Sequence, residues 1–194
     1  MRIFSSLVLA FGLTAAPIAA ATPALAATYT IDGTHTSVLF KVSHLGIAPY
    51  WGRFNKIEGR FDYDPANASA SKLSVEIDAN SIFTAEKKRD DHLKSPDFFS
   101  TKQFPKITLQ STAVKAGAKP GTYVVTADLT IRGTKKPITF ELTKTGEGKD
   151  PWGGDRVGFE GSFTVNRLDF GVSYMPDGLG KDVTIIVAVE GVKA

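Results

Sequence analysis

Residues 72–80 read Lys72-Leu73-Ser74-Val75-Glu76-Ile77-Asp78-Ala79-Asn80. Leu73, Val75, Ile77 and Ala79 alternate with polar partners, so an extended chain here has one oily face and one wet face. That is the pattern of a half-buried antiparallel strand. The same period of two recurs outward in both directions: Val38, Phe40 and Val42; Ile57, Phe61 and Tyr63; Ile107 and Leu109; Tyr123 to Ile131; Ile138, Phe140 and Leu142; Val157, Phe159, Phe163 and Val165. A last run, Val183 to Val189, is apolar on both faces.

The pattern predicts eight strands, at roughly 37–45, 53–64, 72–82, 106–114, 121–132, 136–145, 156–168 and 181–192. Turn chemistry separates them: Asp64-Pro65, Lys119-Pro120-Gly121, Arg132-Gly133, the glycine-rich run 146–154 and Pro176-Asp177-Gly178. One long segment, 84–100, does not alternate. Ser95-Pro96-Asp97 within it has the chemistry of a helix start. Eight up-and-down strands with one helical insertion predict an all-β fold, a closed antiparallel barrel of the lipocalin type, because closure removes exposed edges. A barrel of this size is either filled by its own side chains or holds one small ligand. Thirteen Phe in 194 residues suit both outcomes.

The N-terminus sets the expected compartment. Arg2 precedes an apolar stretch from Ile3 to Ala10 that continues through Phe11, Leu13 and Ile18, and Ala24-Leu25-Ala26 supplies a small-x-small cleavage pattern. Residues 1–26 are therefore expected to be a signal peptide cut after Ala26, with 27–194 forming one domain. The destination is the periplasm or the exterior. The chain has no Cys, so the exported fold must be held by its core alone. The formal charge of +3 becomes +2 once Arg2 is removed, and the cations are scattered, which speaks against nucleic acid as a partner.

The ordered set Asp32-Gly33-Thr34-His35-Thr36-Ser37-Val38, His44-Leu45-Gly46, Gly52-Arg53-Phe54, Arg89-Asp90-Asp91-His92-Leu93, Phe98-Phe99, Phe104-Pro105, Leu129-Thr130-Ile131-Arg132-Gly133, Lys136-Pro137 and Arg167-Leu168-Asp169-Phe170-Gly171 resembles the YceI-like family. That family comprises exported lipocalin-like barrels also called polyisoprenoid-binding proteins, and the resemblance runs over essentially all of 27–194. It implies an eight-stranded barrel with an apolar tunnel, and a long-chain amphiphile as ligand, such as a polyprenyl chain with a polar or phosphorylated head. Two stretches depart from the family pattern: Ala48-Pro49-Tyr50-Trp51, whose two rings are expected to narrow the tunnel entrance, and Gly133-Thr134-Lys135.

The candidate ligand-binding residues form two groups. Phe40, Val42, Phe61, Ile77, Phe140 and Phe163 would line the tunnel, with Phe98, Phe99, Phe104 and Phe170 closing it. His44, Arg89, His92 and Arg167 are the polar candidates. Arg89 offers a planar fork of donors suited to phosphate; an ion pair with Asp90 or Asp91 is the competing role. Arg167 is expected to pair internally with Asp169. His92 would share a helical face with Arg89, where it meets a head group or caps the helix. Trp152 is expected to plug the surface.

No metal, cofactor or catalytic residue is expected. His35 and His44 lie an odd number of residues apart, and no Cys or HExxH motif supports them. Asp62 and Asp64 lack the Gly and Glu of a calcium loop, and there is no nucleophile elbow or phosphate-cradling loop. Three functions compete: a carrier holding one lipid-like molecule, an enzyme using His92 with an acid, and a ligand-free stress or interaction protein with a packed interior. Contact with a membrane or a membrane protein, and a monomeric or homodimeric state, complete the expectations for partners.

Overall fold

The computed structural model describes residues 26–194; the leader expected upstream lies outside the described residues. Eleven strands run in chain order: β1 (Ala27–Ile31), β2 (Ser37–His44), β3 (Ala48–Phe54), β4 (Ile57–Tyr63), β5 (Lys72–Asp78), β6 (Ile82–Phe83), β7 (Lys106–Ala116), β8 (Thr122–Ile131), β9 (Thr134–Lys149), β10 (Asp155–Asn166) and β11 (Leu179–Lys193). One helix, α1 (Lys87–Lys94), lies between β6 and β7.

Eight strands close a ring in the order β1-β4-β5-β7-β8-β9-β10-β11, sealed by antiparallel pairing of Tyr29 with Lys193 and Ile31 with Gly191. The other three complete the long strands expected from the sequence. β11 pairs with β1 near its end and with β2 through Val183–Ala188, so β1 and β2 are two parts of one interrupted strand. β3 continues into β4, and β5 into β6, in the same way. The breaks fall side by side. Asp32 accepts from the backbone N–H of Thr34, Ser81 Oγ accepts from the N–H groups of Asn55 and Lys56, and Asp78 caps the turn at Asn80. Polar side chains thus take over backbone bonding where the ladder stops. Above the breaks, among the described residues, β6 pairs with β3 alone, and α1 packs against β6.

Three local expectations are corrected. The helix does not start at Ser95; Glu86 caps it by accepting from the N–H groups of Lys88 and Arg89, and Ser95 is where it ends. Pro96 disfavours helical backbone at the residue before it, so the Ser-Pro pair is a stop. The loop at 146–154 is shorter than expected, because β9 runs to Lys149 and the turn is only 150–154, organised by Asp150 Oδ1 on the N–H groups of Trp152 and Gly154. Trp152 plugs nothing: it is 85 % exposed.

The lower end of the barrel is packed with rings. Tyr29 stacks on Phe61 at 5.2 Å, and Phe159 meets Phe61, Tyr63 and Tyr123 edge-on at 5.7, 5.2 and 6.0 Å. The hydroxyls of Tyr63 and Tyr123 bond each other at 2.8 Å. Burial, then this bond, raises the Tyr63 phenol above its ordinary pKa. Each favourable ring pair adds about 0.5–1.5 kcal/mol beyond area burial, so this end is a firm floor.

Candidate functional site

Above the floor lies a cavity of about 570 Å³ whose walls are almost wholly hydrocarbon. Alternation creates it. On β11, Val183, Ile185, Val187 and Val189 face inward, opposite Val75 and Ile77 of β5 and Leu109 of β7. These are short aliphatic side chains, so they do not meet across the barrel. Phe140 and Phe163 stack at 4.7 Å along one wall, and Phe40, Phe54 and Phe99 form a ring cluster with centroids 5.9 and 5.8 Å apart. Gly52 of β3 makes room for Phe40; a Cβ there would collide with the ring.

The structure places Phe40, Val42 and His44 of β2, Phe61 of β4 and Ile77 of β5 on the cavity wall. Arg89 and His92 of α1, with Phe98 and Phe99 beyond it, also face the cavity. So do Phe140 of β9, Phe163 of β10, and Arg167 and Phe170 of the turn after β10. Phe104 does not: its ring lies against Gly133, at the β8–β9 turn, where any Cβ would strike it. The missing side chain at Gly133, with φ of +73°, draws the ring out of the interior.

The upper end carries the polar groups. The Arg89 guanidinium stacks 4.0 Å from the centre of the Tyr50 ring. Its Nε donates to Thr84 Oγ1 at 2.9 Å, and Nη2 donates to the Thr84 carbonyl at 2.9 Å and to the Tyr50 hydroxyl. The pairing expected with Asp90 or Asp91 does not occur. Asp90 is buried and accepts from the N–H and hydroxyl of Thr84, while Asp91 pairs with Lys87 at 2.6 Å. Arg89 therefore reaches a carboxylate only through Thr84.

Arg167 is 7 % exposed and does not pair with Asp169. It donates to the carbonyls of Val172, Tyr174, Met175, Leu179 and Gly180, gathering the rim loop around one cation. Desolvation lowers its pKa. Arg132 ties the insertion down by donating to the carbonyls of Phe98 at 2.7 Å and Gly171 at 3.0 Å. His92 shares a helical face with Arg89, as its spacing of three requires. Its Nε2 lies 2.8 Å from Asp97 Oδ2, and its ring meets Phe98 and Tyr174 edge-on at 5.0 and 4.8 Å.

Tyr50, expected near the entrance, belongs to this rim, as do Thr84, Tyr174 and Met175, which were not among the sequence candidates. Tyr50 was legible by parity, being four residues before the inward Phe54. Only one of the two rings at 50–51 narrows the entrance, since successive strand residues face opposite ways and Trp51 points outward. Tyr174 and Met175 sit in an irregular loop with no periodicity to read. Both line the cavity and are 42 % and 41 % exposed, so the cavity opens at the upper end.

At the opposite end, Asp32, His35 and Glu190 offer clustered ligand atoms. Arg156 already occupies that centre, with Nη1 at 2.8 Å from Asp32 and 2.6 Å from Glu190, and Nε at 2.8 Å from Asp150. These hydrogen bonds raise the Arg156 pKa, and those of Thr34, Arg156 and His35 hold Asp32 well below the usual carboxylate range. The cluster is a salt-bridge network, with the guanidinium in the place a metal would need.

Residues 29–191 match the YceI-like domain. A UPF0312 protein of Pseudomonas putida is 43 % identical over 172 residues, covering 88 % of each chain. A UPF0312 protein of Yersinia enterocolitica is 40 % identical over 88 % of this chain and 89 % of its own length. Among solved structures, Burkholderia cenocepacia BcnA superposes with a TM-score of 0.75 at 25 % identity, over 82 % of this chain and 98 % of that one. The Campylobacter jejuni YceI protein gives 0.70 at 30 % identity, over 78 % and 90 %. A polyisoprenoid-binding domain of Saccharophagus degradans shares the fold, with a TM-score of 0.66 at 15 % identity over 86 % and 98 %. The match over nearly the whole barrel, together with relatives above 40 % identity, shows that the chain belongs to the YceI-like family.

Proposed function

We propose that this protein is an exported, non-catalytic carrier that holds one long-chain amphiphile, with a polyisoprenoid as the leading class. The observation that carries the reading is the hydrocarbon-walled cavity of about 570 Å³ with Arg89 at its opening, unpaired with any carboxylate among the described residues. Small-molecule sites span roughly 300–1,000 Å³ and combine apolar walls with a few placed polar groups. Each buried methylene contributes about 0.8 kcal/mol, so a chain in this cavity is held by desolvation, less the cost of ordering it. Specificity then comes from the rim. Arg89 and the buried Arg167 favour an anionic head, and Tyr50 and Thr84 fix the plane of the Arg89 fork.

The polyisoprenoid class is supported by the fold shared with the Saccharophagus degradans domain. The proposed destination is the periplasm or beyond. Its support is the Arg2-led apolar leader and the start of β1 at Ala27, so that cleavage after Ala26 removes no strand residue. Native mass spectrometry of protein recovered from its own compartment, before and after solvent extraction, tests the reading. A hydrophobic adduct lost on extraction is expected; an identical mass in both samples overturns the carrier.

A further inference from the structure

The large exposed hydrophobic side chains are unevenly placed. Among the described residues, Leu45, Ile47, Tyr174 and Met175 sit at the open end, Trp51 and Phe83 lie further down the outer face of β3 and β6, and Trp152 sits at the floor end. The hairpin of β2 and β3 carries the core of this patch. Ile47, 82 % exposed, stands at its tip in a turn closed by its own N–H on the His44 carbonyl. Leu45 beside it donates to the Gly178 carbonyl at 2.7 Å, which joins the tip to the loop bearing Tyr174 and Met175. The patch is thus continuous with the cavity rim.

The outer face of the same hairpin interleaves rings and cations. Lys41 pairs in register with Trp51, and its ammonium lies 5.6 Å from that ring; Arg53 pairs with Phe83, and its guanidinium lies 5.4 Å away. β2, β3 and β6 contain no Asp or Glu, while the adjoining rim loop and β11 carry Asp177, Lys181 and Asp182. An aliphatic tip, amphipathic aromatic rings and the long cationic side chains of the hairpin suit a bilayer's headgroup layer, where rings sit at the boundary and cations meet anionic lipids.

We propose that the β2–β3 hairpin docks the barrel, opening first, onto a lipid bilayer with anionic headgroups. This step rests in part on the carrier reading, because a ligand that dissolves in membrane must enter a water-filled space unless the rim meets the bilayer. Docking closes that gap: the tip enters the headgroup region, and the cavity opening faces the lipid.

The two tryptophans test it, since Trp51 marks the docking face and Trp152 the far end. The chain as recovered after export is mixed with vesicles of phosphatidylcholine alone, or of equal parts phosphatidylcholine and phosphatidylglycerol, with brominated acyl chains that quench on contact. Trp152→Phe leaves Trp51 as reporter, and Trp51→Phe leaves Trp152. Quenching of Trp51 but not Trp152 is expected, stronger with phosphatidylglycerol and weaker at high salt. Ile47→Glu should lower the vesicle-bound fraction about tenfold or more while uptake of a fluorescent fatty acid persists. Absence of vesicle binding, equal quenching of both reporters, an indifferent Ile47→Glu variant, or a patch buried in a dimer that ignores vesicles would each overturn docking. Docking without probe uptake would remove the carrier reading and leave the docking face standing; uptake without docking would do the reverse.

Discussion

Replacing Arg89 with Met keeps an unbranched side chain of similar reach in α1 and deletes the guanidinium. The cost to the fold is small by construction. The Thr84 carbonyl still accepts from the Tyr50 hydroxyl at 2.5 Å, and the Thr84 hydroxyl still donates to Asp90, so no buried group is orphaned. What is lost is the donor fork beside the cavity opening. A hydrogen bond to a charged group contributes about 1.5–3 kcal/mol, so a fatty carboxylate should bind roughly 10- to 150-fold more weakly. A fatty alcohol of the same length, limited to a neutral bond of about 0.5–1.5 kcal/mol, should lose about 2- to 10-fold. Displacement of a fluorescent probe by matched acid and alcohol measures both in wild type and Arg89→Met. The informative quantity is the acid-to-alcohol preference, which should fall by about tenfold. If both ligands weaken equally, Arg89 acts by shaping the rim; if neither weakens, the anionic-head argument is wrong.

Val187→Trp places a large ring in the cavity. In a solid core such overpacking costs about 1–3 kcal/mol, so an unchanged or raised melting temperature with abolished probe uptake is expected of a hollow barrel, and a large loss of stability would contradict it. Asp32 has a folded-state pKa depressed first by Thr34, then by Arg156 and His35. The stability it contributes is therefore present above the ordinary carboxylate value of about 4 and lost as pH falls below it. Arg156→Gln should lower stability at neutral pH and flatten the fall between pH 4 and 2 in denaturant titrations; a parallel curve would show that Arg156 does not set this linkage. Solvent-extracted protein should melt about 5–10 °C below protein carrying its resident molecule, as ligand present at some hundredfold over its dissociation constant stabilises by about 2.7 kcal/mol; matching melting temperatures would count against occupancy.

The barrel was legible because Leu73, Val75 and Ile77, and their counterparts on most other strands, alternate with polar residues. The interruptions were not, since Asp78 caps the local turn at Asn80 while Ser81 takes the N–H groups of Asn55 and Lys56, which only the strand pairing brings near. β1 also alternates, with Tyr29 and Ile31 buried, but it is short and follows an apolar leader that hides its period. Ser95-Pro96-Asp97 imitates a helix start, and only the extended backbone of Glu86, which caps α1, identifies the true one. Phe104 looked like its neighbours Phe98 and Phe99 because the gap that takes it, above Gly133, lies about thirty residues away in sequence. The role of Arg167 was invisible for a different reason: its partners are carbonyls, and every residue has one.

Whether the interior is solid or hollow lies beyond any reading of period two, because the same inward residues fill a narrow ring and line a wide one. The structure resolves it as hollow. Rings line parts of the wall, such as Phe40, Phe140 and Phe163, but Val75, Leu109, Ile185, Val187 and Val189 also face the space, and the side chains leave a cavity between them. The cavity of about 570 Å³ leaves these side chains without packing partners on their inner faces, so dispersion contacts are forfeited there. Water admitted through the rim finds few polar partners below Thr84 and Arg89, and apolar cavities stay dry. A molecule that fills the middle recovers the missing contacts directly. On the proposed carrier reading, the aliphatic residues of β5, β7 and β11 form one half of a packed core that a bound hydrocarbon chain would complete.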